Sequence, residues 1–259
     1  GVASNADKSQ RTSRDIALSI ATDLSAQVGL KLDGQRAGNR FEQAVQGFLS
    51  ASFPLLHSIR PGRWVIENVG SSRGQHHVAK YEPYTHLDDL AKAITQDPTL
   101  SSVLGNSYEI SPDIMVLREP ETDGQINREA AVVGDDVAQH TIIRKSNQDR
   151  LIVHAIVSCK WTLRSDRAQN ARSEALNMIR NRKGRTPHIA VVTAEPTPSR
   201  LASLALGTGD IDTVYHFALP ELVKAVAASN NDEAQSMLDI LIGGKRLRDI
   251  SDLPLDLAV

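Results

Sequence analysis

The chain has 259 residues, a net charge of −2 and 41% hydrophobic residues. One large α/β domain can reach this length, and the apolar fraction is sufficient for a full core, so we expect a single domain over 1–259. The one cysteine, Cys159, excludes an internal disulfide and is typical of a reducing cytoplasm, where we expect the protein to reside. Because the apolar runs are far shorter than a bilayer requires, the composition also excludes a membrane-spanning protein.

In the N-terminal part, residues 1–12 are polar and are predicted to form an arm rather than packed structure. A helix is predicted from Ser13, because apolar residues recur at a spacing of four, at Ile16, Ile20 and Leu24. A second helix is predicted from about Asn39, with Glu42 beside an apolar stripe formed by Phe41, Val45, Phe48 and Leu49. A strand at 64–69 and a helix at 87–104 follow.

The rest of the chain alternates between strands and helices. Strands are predicted at 113–117, 153–159, 188–193 and 214–217. Helices are predicted at 166–182, 198–206, 219–229 and 231–242, and residues 119–150 are predicted to form an irregular insertion. Strands that alternate with helices indicate an α/β fold with a sheet that is at least partly parallel.

Basic residues are concentrated between Lys160 and Arg185, where eight of them stand against only Asp166 and Glu174. They are Lys160, Arg164, Arg167, Arg172, Arg180, Arg182, Lys183 and Arg185. Such a local surplus of positive charge is typical of contact with a phosphate backbone. A solvated helix face is the alternative, and charge alone favours it.

Asp113 and Lys160 each lie at an end of a predicted core strand. If these strands pair, a carboxylate and an ammonium meet at one point of the sheet. Hydrolysis of a phosphodiester needs carboxylates that hold a divalent cation and a cationic or basic group near the attacking water. Taken alone, the pair favours a surface salt bridge, because Pro-Asp dipeptides and lysines at strand ends are common.

The usual form of such a site has a second acid two residues before the lysine, and this chain has Ser158 there. A serine does not replace a charged ligand of a hard cation. Glu174 lies about two turns into the following helix, from which it can point back at the strand ends. The alternative is an exposed glutamate that pairs with Arg172.

Between the lysine and that helix lies the run Arg164-Ser165-Asp166-Arg167. Arginine makes bidentate hydrogen bonds to guanine and aspartate accepts from cytosine, so the run suits adjacent G·C pairs in a major groove. For Asp166 the alternative is a helix cap.

At this point the chain resembles the NgoMIV-like, CCGG-recognising type IIF restriction endonucleases of the PD-(D/E)XK superfamily. The resemblance covers essentially the whole chain and is carried by SCKWTLRSDRAQNARSEALNMIRNRKGR, PHIAVVTAEPTPSRLASLALGTGDID, VYHFAL and GKRLRDISDLPLDLAV. It implies a mixed central sheet flanked by helices and a bacterial type II site-specific deoxyribonuclease. The implied activity is Mg²⁺-dependent hydrolysis of double-stranded DNA at GCCGGC, after the first G, with a 5′ overhang.

The resemblance also implies roles for individual residues. Asp113, Glu174 and the main-chain carbonyl of Cys159 would hold Mg²⁺, with two ions per active site. Lys160 would stand beside the attacking water, and Glu42 matches a further acidic residue of the group. The family's displaced acid accounts for Ser158.

DNA-reading residues follow in the same way. The inner CCGG would be read from the major groove by Arg164, Asp166 and Arg167. Gln35 matches a glutamine that approaches from the minor groove. The outer G·C pair would be read by Asp7 of the N-terminal arm and by Arg200.

The implied assembly is a homotetramer built as a dimer of dimers, and a cognate methyltransferase is expected in the same restriction-modification system. No membrane partner is expected. Two other functions are compatible with the residues: a sequence-specific DNA-binding protein without cleavage, and a structure-selective nuclease on the same fold.

Overall fold

The computed structural model describes residues 3–27, 29, 33–69, 77–97, 99, 102–103, 112–163, 165–207 and 209–259, and the side chains of 165–167 lie outside this description. The strands are β1 (Trp64–Asn68), β2 (Ile114–Arg118), β3 (Ile152–Lys160), β4 (His188–Thr193), β5 (Thr213–His216) and β6 (Leu247–Asp249). The helices are α1 (Arg11–Asp23), α2 (Gly34–Ser52), α3 (His86–Gln96), α4 (Asp123–Ile126), α5 (Ser165–Asn181), α6 (Pro198–Ala205), α7 (Leu219–Ala228), α8 (Asp232–Gly243) and α9 (Leu253–Asp256). Short 3₁₀ helices lie at Phe53–Leu56, His77–Lys80 and Ile250–Asp252.

In the described part of the chain, the strands form one six-stranded sheet in the order β1-β2-β3-β4-β5-β6. The pairs β1–β2 and β2–β3 are antiparallel, whereas β3–β4, β4–β5 and β5–β6 are parallel. A mixed sheet flanked by helices confirms the predicted fold class. The described part contains no helix with the length and apolar character needed to cross a bilayer.

Helices cover both faces of the sheet, because successive strand residues point to opposite sides. One face, here called the α5 face, contributes Met115, Ile156 and Val191 to a core with α1, α3, α5, α6, α7 and α8. The other, the α2 face, contributes Val157 and Val192 to a core with α2 and α9. Each central strand is therefore buried on both sides.

Several sequence-based expectations were wrong in detail. Part of the 1–12 segment is packed, because Asn5 is buried and its Nδ2 donates to the carbonyl of Ala194 at 2.7 Å. Leu24 follows α1 and is 45% exposed, so it does not extend the buried stripe. The second helix begins earlier than predicted, at Gly34, since the Asp33 side chain caps it by accepting from the N–H of Arg36.

The helix predicted at 87–104 is interrupted after Gln96, where Asp97 adopts an extended conformation, and the described residues 99 and 102–103 are helical again. The reason is in the sequence, because a residue that precedes proline is disfavoured in the helical region, and Pro98 comes next. The strand β6 and the helix α9 were not predicted. Both are short, at 3 and 4 residues, and too brief for a recognisable periodicity.

The 119–150 insertion is irregular apart from α4. Its anchor is Arg144, which is buried and donates to both carboxylate oxygens of Asp123 at 2.7 Å. The same guanidinium donates to the carbonyls of Gly134 and Val137. One arginine thus organises a segment that has little secondary structure.

Candidate active site

Asp113, Ser158 and Lys160 share the α5 face of the sheet. Alternation along β3 sets Ser158 and Lys160 on the same side as Ile156, and alternation along β2 sets Asp113 with Met115. The antiparallel register pairs Ile114 with Val157, so Asp113 comes opposite the end of β3. The sheet itself therefore brings these side chains together.

The Asp113 carboxylate is buried and accepts two hydrogen bonds at its Oδ2 atom. One comes from the N–H of Cys159 at 2.7 Å and the other from Lys160 Nζ at 3.1 Å. The side chains of Lys160 and Asp113 are 14% and 4% exposed, respectively, so this is a buried ion pair and not a surface salt bridge.

Glu174 of α5 completes the cluster from above the sheet. Ala171, Ala175 and Met178 recur at helical spacing and are buried against the α5 face, and Glu174 lies at the edge of this stripe. Its Oε2 accepts from Ser158 Oγ at 3.0 Å and lies 3.8 Å from Lys160 Nζ. The structure thus places Glu174 beside Ser158, at the position where the usual acid is missing.

The charge of Lys160 is determined by its neighbours. Burial lowers the pKa of its ammonium, but the carboxylates of Glu174 and Asp113 outweigh burial and raise the pKa above its ordinary value. Lys160 therefore stays protonated at neutral pH and acts as a hydrogen-bond donor.

The donor set at this end of β3 suits a hard divalent cation. The carboxylates of Asp113 and Glu174 both reach the same ammonium, at 3.1 and 3.8 Å. The N–H and C=O of a strand residue point to the same side, so the Cys159 carbonyl lies on the side where its N–H donates to Asp113. No group of three or more His, Cys, Asp or Glu side chains suited to a metal occurs within the described ranges. Mg²⁺ requires fewer, because it binds through one or two carboxylates and keeps several waters.

The other predicted acid and the predicted minor-groove residue both lie on α2. Glu42 is 8% exposed, one of the buried charged residues of the described chain. Gln35 is exposed in the first turn of the helix. The roles of both residues stay predictions.

Of the predicted inner-sequence readers, Arg164 lies outside the described residues, as do the side chains of Asp166 and Arg167. The main chain of α5 nevertheless begins at Ser165, five residues after Lys160.

The described basic residues from Lys160 to Arg185 are spread along α5 and beyond its end. α5 has 17 residues, so its ends lie about 25 Å apart. Arg180 lies in the last turn of α5, and Lys183 and Arg185 follow the helix and lead into the start of β4, away from Lys160. Arg172 forms an ion pair with Asp210 at 2.6 Å and donates to main-chain carbonyls, so it supports packing.

The two residues predicted to read the outer base pair are in contact, although 193 positions separate them. Arg200 Nη2 donates to Asp7 Oδ2, and the two side chains are 24% and 25% exposed. Hydrogen bonds from Ser9 and then from Arg200 hold the pKa of Asp7 well below its usual range. The arm and the first turn of α6 thus form one polar contact.

Sequence reasoning missed Glu195, whose side chain is fully buried beside this contact. Its Oε2 accepts from the N–H of Leu163 at 2.8 Å and lies 3.9 Å from Arg200 Nη1. The sequence does contain an indication of it, because Glu195 directly follows the predicted core strand at 188–193 and Ala194. An acidic side chain that is buried at such a position requires a hydrogen-bond or charge partner.

Comparisons with known proteins agree with the geometry. The family model described as NgoMIV restriction enzyme matches residues 1–259. The type II restriction enzyme NgoMIV of Neisseria gonorrhoeae is 52% identical over 260 residues, which cover 100% of this chain and 91% of that protein. Among solved structures, the restriction endonuclease PspGI in a complex with substrate DNA covers 96% of this chain and 92% of its own, with 13% identity and a TM-score of 0.29. That score is too low to carry an argument. The chain belongs to the NgoMIV restriction enzyme family, which confirms the type II restriction endonuclease predicted from its sequence.

Proposed function

We propose that this chain hydrolyses phosphodiester bonds of double-stranded DNA at GCCGGC, after the first G, with Mg²⁺ as cofactor and a 5′ overhang as product. The observation that carries the proposal is the meeting of Asp113, Lys160 and Glu174 at one end of β3. Family membership supports the reaction class, and the sequence-specific part comes from the resemblance of Asp7, Arg200 and the Arg164–Arg167 run.

Asp113 and Glu174 would hold Mg²⁺ together with the Cys159 carbonyl, and we propose two ions per site. When bound, the metal polarises the phosphate and lowers the pKa of a bound water. Lys160 contributes a fixed positive charge, because its ammonium is buried and held by both carboxylates. Preorganised donors of this kind stabilise developing charge without the cost of reorganisation.

Ser158 serves the site by orientation. Its hydroxyl donates to Glu174 Oε2 at 3.0 Å, which ties a helix side chain to the strand that carries Lys160. A carboxylate held by such a hydrogen bond keeps its orientation when the metal binds or dissociates. The acid of this chain thus acts from α5 instead of from β3.

For the partners, we propose a homotetramer of two back-to-back dimers and a methyltransferase that modifies the same sequence in the host. Light scattering coupled to gel filtration tests the assembly, and a mass near four chains supports it. The methyltransferase proposal follows from the proposed activity, because host DNA with unmodified sites would be cut.

Plasmid cleavage tests the function directly. The chain is incubated with Mg²⁺ and two plasmids that differ only in one GCCGGC site, with EDTA as the metal-free control. We expect one discrete linear product from the plasmid that contains the site and none with EDTA. Absence of discrete fragments at every protein concentration would contradict the proposal. Sets of duplexes varied at each base pair then test the sequence.

A further inference from the structure

We propose that Glu195 is a positioning residue that fixes two DNA-reading elements at once: the loop from Lys160 into α5, and Arg200 with the N-terminal arm. The inference rests on the proposed function, since it assigns reading roles to these elements. It adds a residue that neither the family resemblance nor the cleavage chemistry calls for.

The segment after β4 is a junction of three parts of the chain. Thr193 Oγ1 and the N–H of Ala194 donate to the carbonyl of Lys160, at 2.7 and 3.3 Å. The carbonyl of Ala194 accepts from Asn5 of the arm at 2.7 Å. Glu195 follows directly, so its carboxylate emerges where the strand end, the arm and the start of α6 meet.

The Glu195 carboxylate uses both oxygens. Oε2 accepts from the N–H of Leu163 at 2.8 Å and faces Arg200 Nη1 at 3.9 Å. Oε1 accepts from the N–H of Thr197 at 3.1 Å. Leu163 is buried and immediately precedes Arg164, so the first contact fixes the entry to the Arg164–Arg167 run.

A charge at this position is expensive, because the side chain is fully buried. Burial raises the pKa of Glu195, although the hydrogen bonds and Arg200 favour its charged form. An uncharged amide provides one oxygen, which can still accept from the N–H of Leu163, whereas its NH₂ group would replace the oxygen that accepts from the N–H of Thr197. The feature that requires a carboxylate is the guanidinium of Arg200, which it shares with Asp7.

Because the N–H contacts and the charge that faces Arg200 are separate features of Glu195, two substitutions give different expectations. Glu195→Gln keeps an acceptor for Leu163 and removes the charge that faces Arg200. Reading of the outer base pair should then weaken, while reading of the inner pairs stays. Glu195→Ala removes both contacts, so both kinds of reading should weaken.

The test measures Kd for three duplexes in Ca²⁺, and cleavage in Mg²⁺ separately. The duplexes contain GCCGGC, the outer-pair variant ACCGGT and the inner variant GCTGGC. For Glu195→Gln we expect the ratio of Kd for ACCGGT to Kd for GCCGGC to fall on the order of 10-fold, within the range for one base contact. That quotient is called the outer ratio, and the quotient of Kd for GCTGGC and Kd for GCCGGC is called the inner ratio. The inner ratio should change less than about twofold. Asp210→Asn, which removes a carboxylate from a partly buried ion pair with Arg172, is the matched control and should change neither ratio.

A double-mutant cycle sharpens the result. In an Arg200→Gln background, Glu195→Gln should have no further effect on the outer ratio, since its partner is already gone. The proposal is overturned if Glu195→Gln keeps the outer ratio at the wild-type value, or if it lowers the inner ratio equally.

If Glu195→Gln does not fold, Glu195→Asp decides the question, because its carboxylate is too short to reach Leu163 and Arg200 together. Wild-type values of both ratios in folded Glu195→Asp would contradict a positioning role. Selective binding without cleavage in the wild type would refute the proposed function alone and leave this test in force.

Discussion

The Asp113–Lys160–Glu174 cluster and the Asp7–Arg200 contact lie near the same end of the sheet but are built differently. The cluster is fixed by the register of two buried strands and by the packing of α5, and its Asp113 and Lys160 side chains are 4% and 14% exposed. The arm contact joins Asp7 and Arg200, whose side chains are 25% and 24% exposed. Neither strand pairing nor helical spacing brings these two residues together. Glu174, at 34%, is the most exposed of these side chains, so exposure does not separate the two regions. The comparison indicates that strand register sets the proposed cleavage residues, whereas contacts between distant segments set the proposed outer reading.

The largest effect is expected from breaking the cluster on its helix side. Glu174→Ala should lower kcat on the order of 10²–10³-fold, because it removes one of the two carboxylates that would hold Mg²⁺. The Kd for GCCGGC in Ca²⁺ should change only a few-fold. Glu233→Ala is the control, an exposed glutamate in the first turn of α8. Equal behaviour of the two variants in single-turnover cleavage would remove Glu174 from the site.

A smaller effect is expected from a substitution in the N-terminal arm, which should change the discrimination between DNA sequences and not the cleavage rate on GCCGGC. Asp7→Ala releases Arg200, so discrimination against ACCGGT should fall by about 1–3 kcal/mol, the size of one base contact. Cleavage rates on GCCGGC and ACCGGT measure this directly. Asp15→Ala, which removes an exposed pair with Arg11 in α1, should leave the ratio unchanged. An unchanged ratio in Asp7→Ala would separate the arm from outer reading.

Ser158→Ala tests how much the cluster depends on orientation. Loss of the hydroxyl that donates to Glu174 should lower kcat/KM by roughly fivefold, the equivalent of about 1 kcal/mol. The Mg²⁺ concentration for half-maximal cleavage should rise at the same time. A loss as large as that of Glu174→Ala would show that Ser158 does more than orient the carboxylate.

His154 of β3 gives a prediction for the free energy of unfolding, and its substitution should leave cleavage at neutral pH unchanged. His154 is buried, and burial lowers its pKa to about 4. The unfolded chain binds a proton near pH 6.5 and the folded chain only near pH 4, so stability falls as pH decreases through this window. In urea unfolding, His154→Gln should reduce the slope by about 1.4 kcal/mol per pH unit there.

The glutamine retains a donor for the carbonyl of Leu257, which His154 contacts at 2.7 Å. Loss of that hydrogen bond therefore does not enter the comparison. An identical pH slope in the variant and the wild type would show that His154 does not bind a proton on unfolding in this window.

The cluster was accessible from sequence because simple periodicities determine it. The apolar runs at 113–117 and 153–159 predict two core strands, and alternation then places Asp113 and Lys160 on one face. Helical spacing brings Glu174 to the same place. No periodicity predicts a contact between a polar side chain and the main chain of a distant segment, such as Asn5 with Ala194 or Glu195 with Leu163.

The same limit explains two other outcomes. Eight basic residues are close together in sequence between Lys160 and Arg185, but a helix of 17 residues carries the last of them to the opposite end of the sheet. The pairing of Asp7 with Arg200 was reachable only through the family resemblance, which assigned both residues to one base pair. Proximity in sequence and proximity in space diverge wherever a helix or the arm intervenes.

The most direct test of the account is Lys160→Ala, measured for binding and for cleavage on the same duplex. Lys160 is the residue that both carboxylates contact, and it lies outside the arm contact. We expect the variant to bind GCCGGC in Ca²⁺ with a Kd within a few-fold of wild type and to show no cleavage above background in Mg²⁺. Cleavage at the wild-type rate would contradict the assignment of this cluster as the active site.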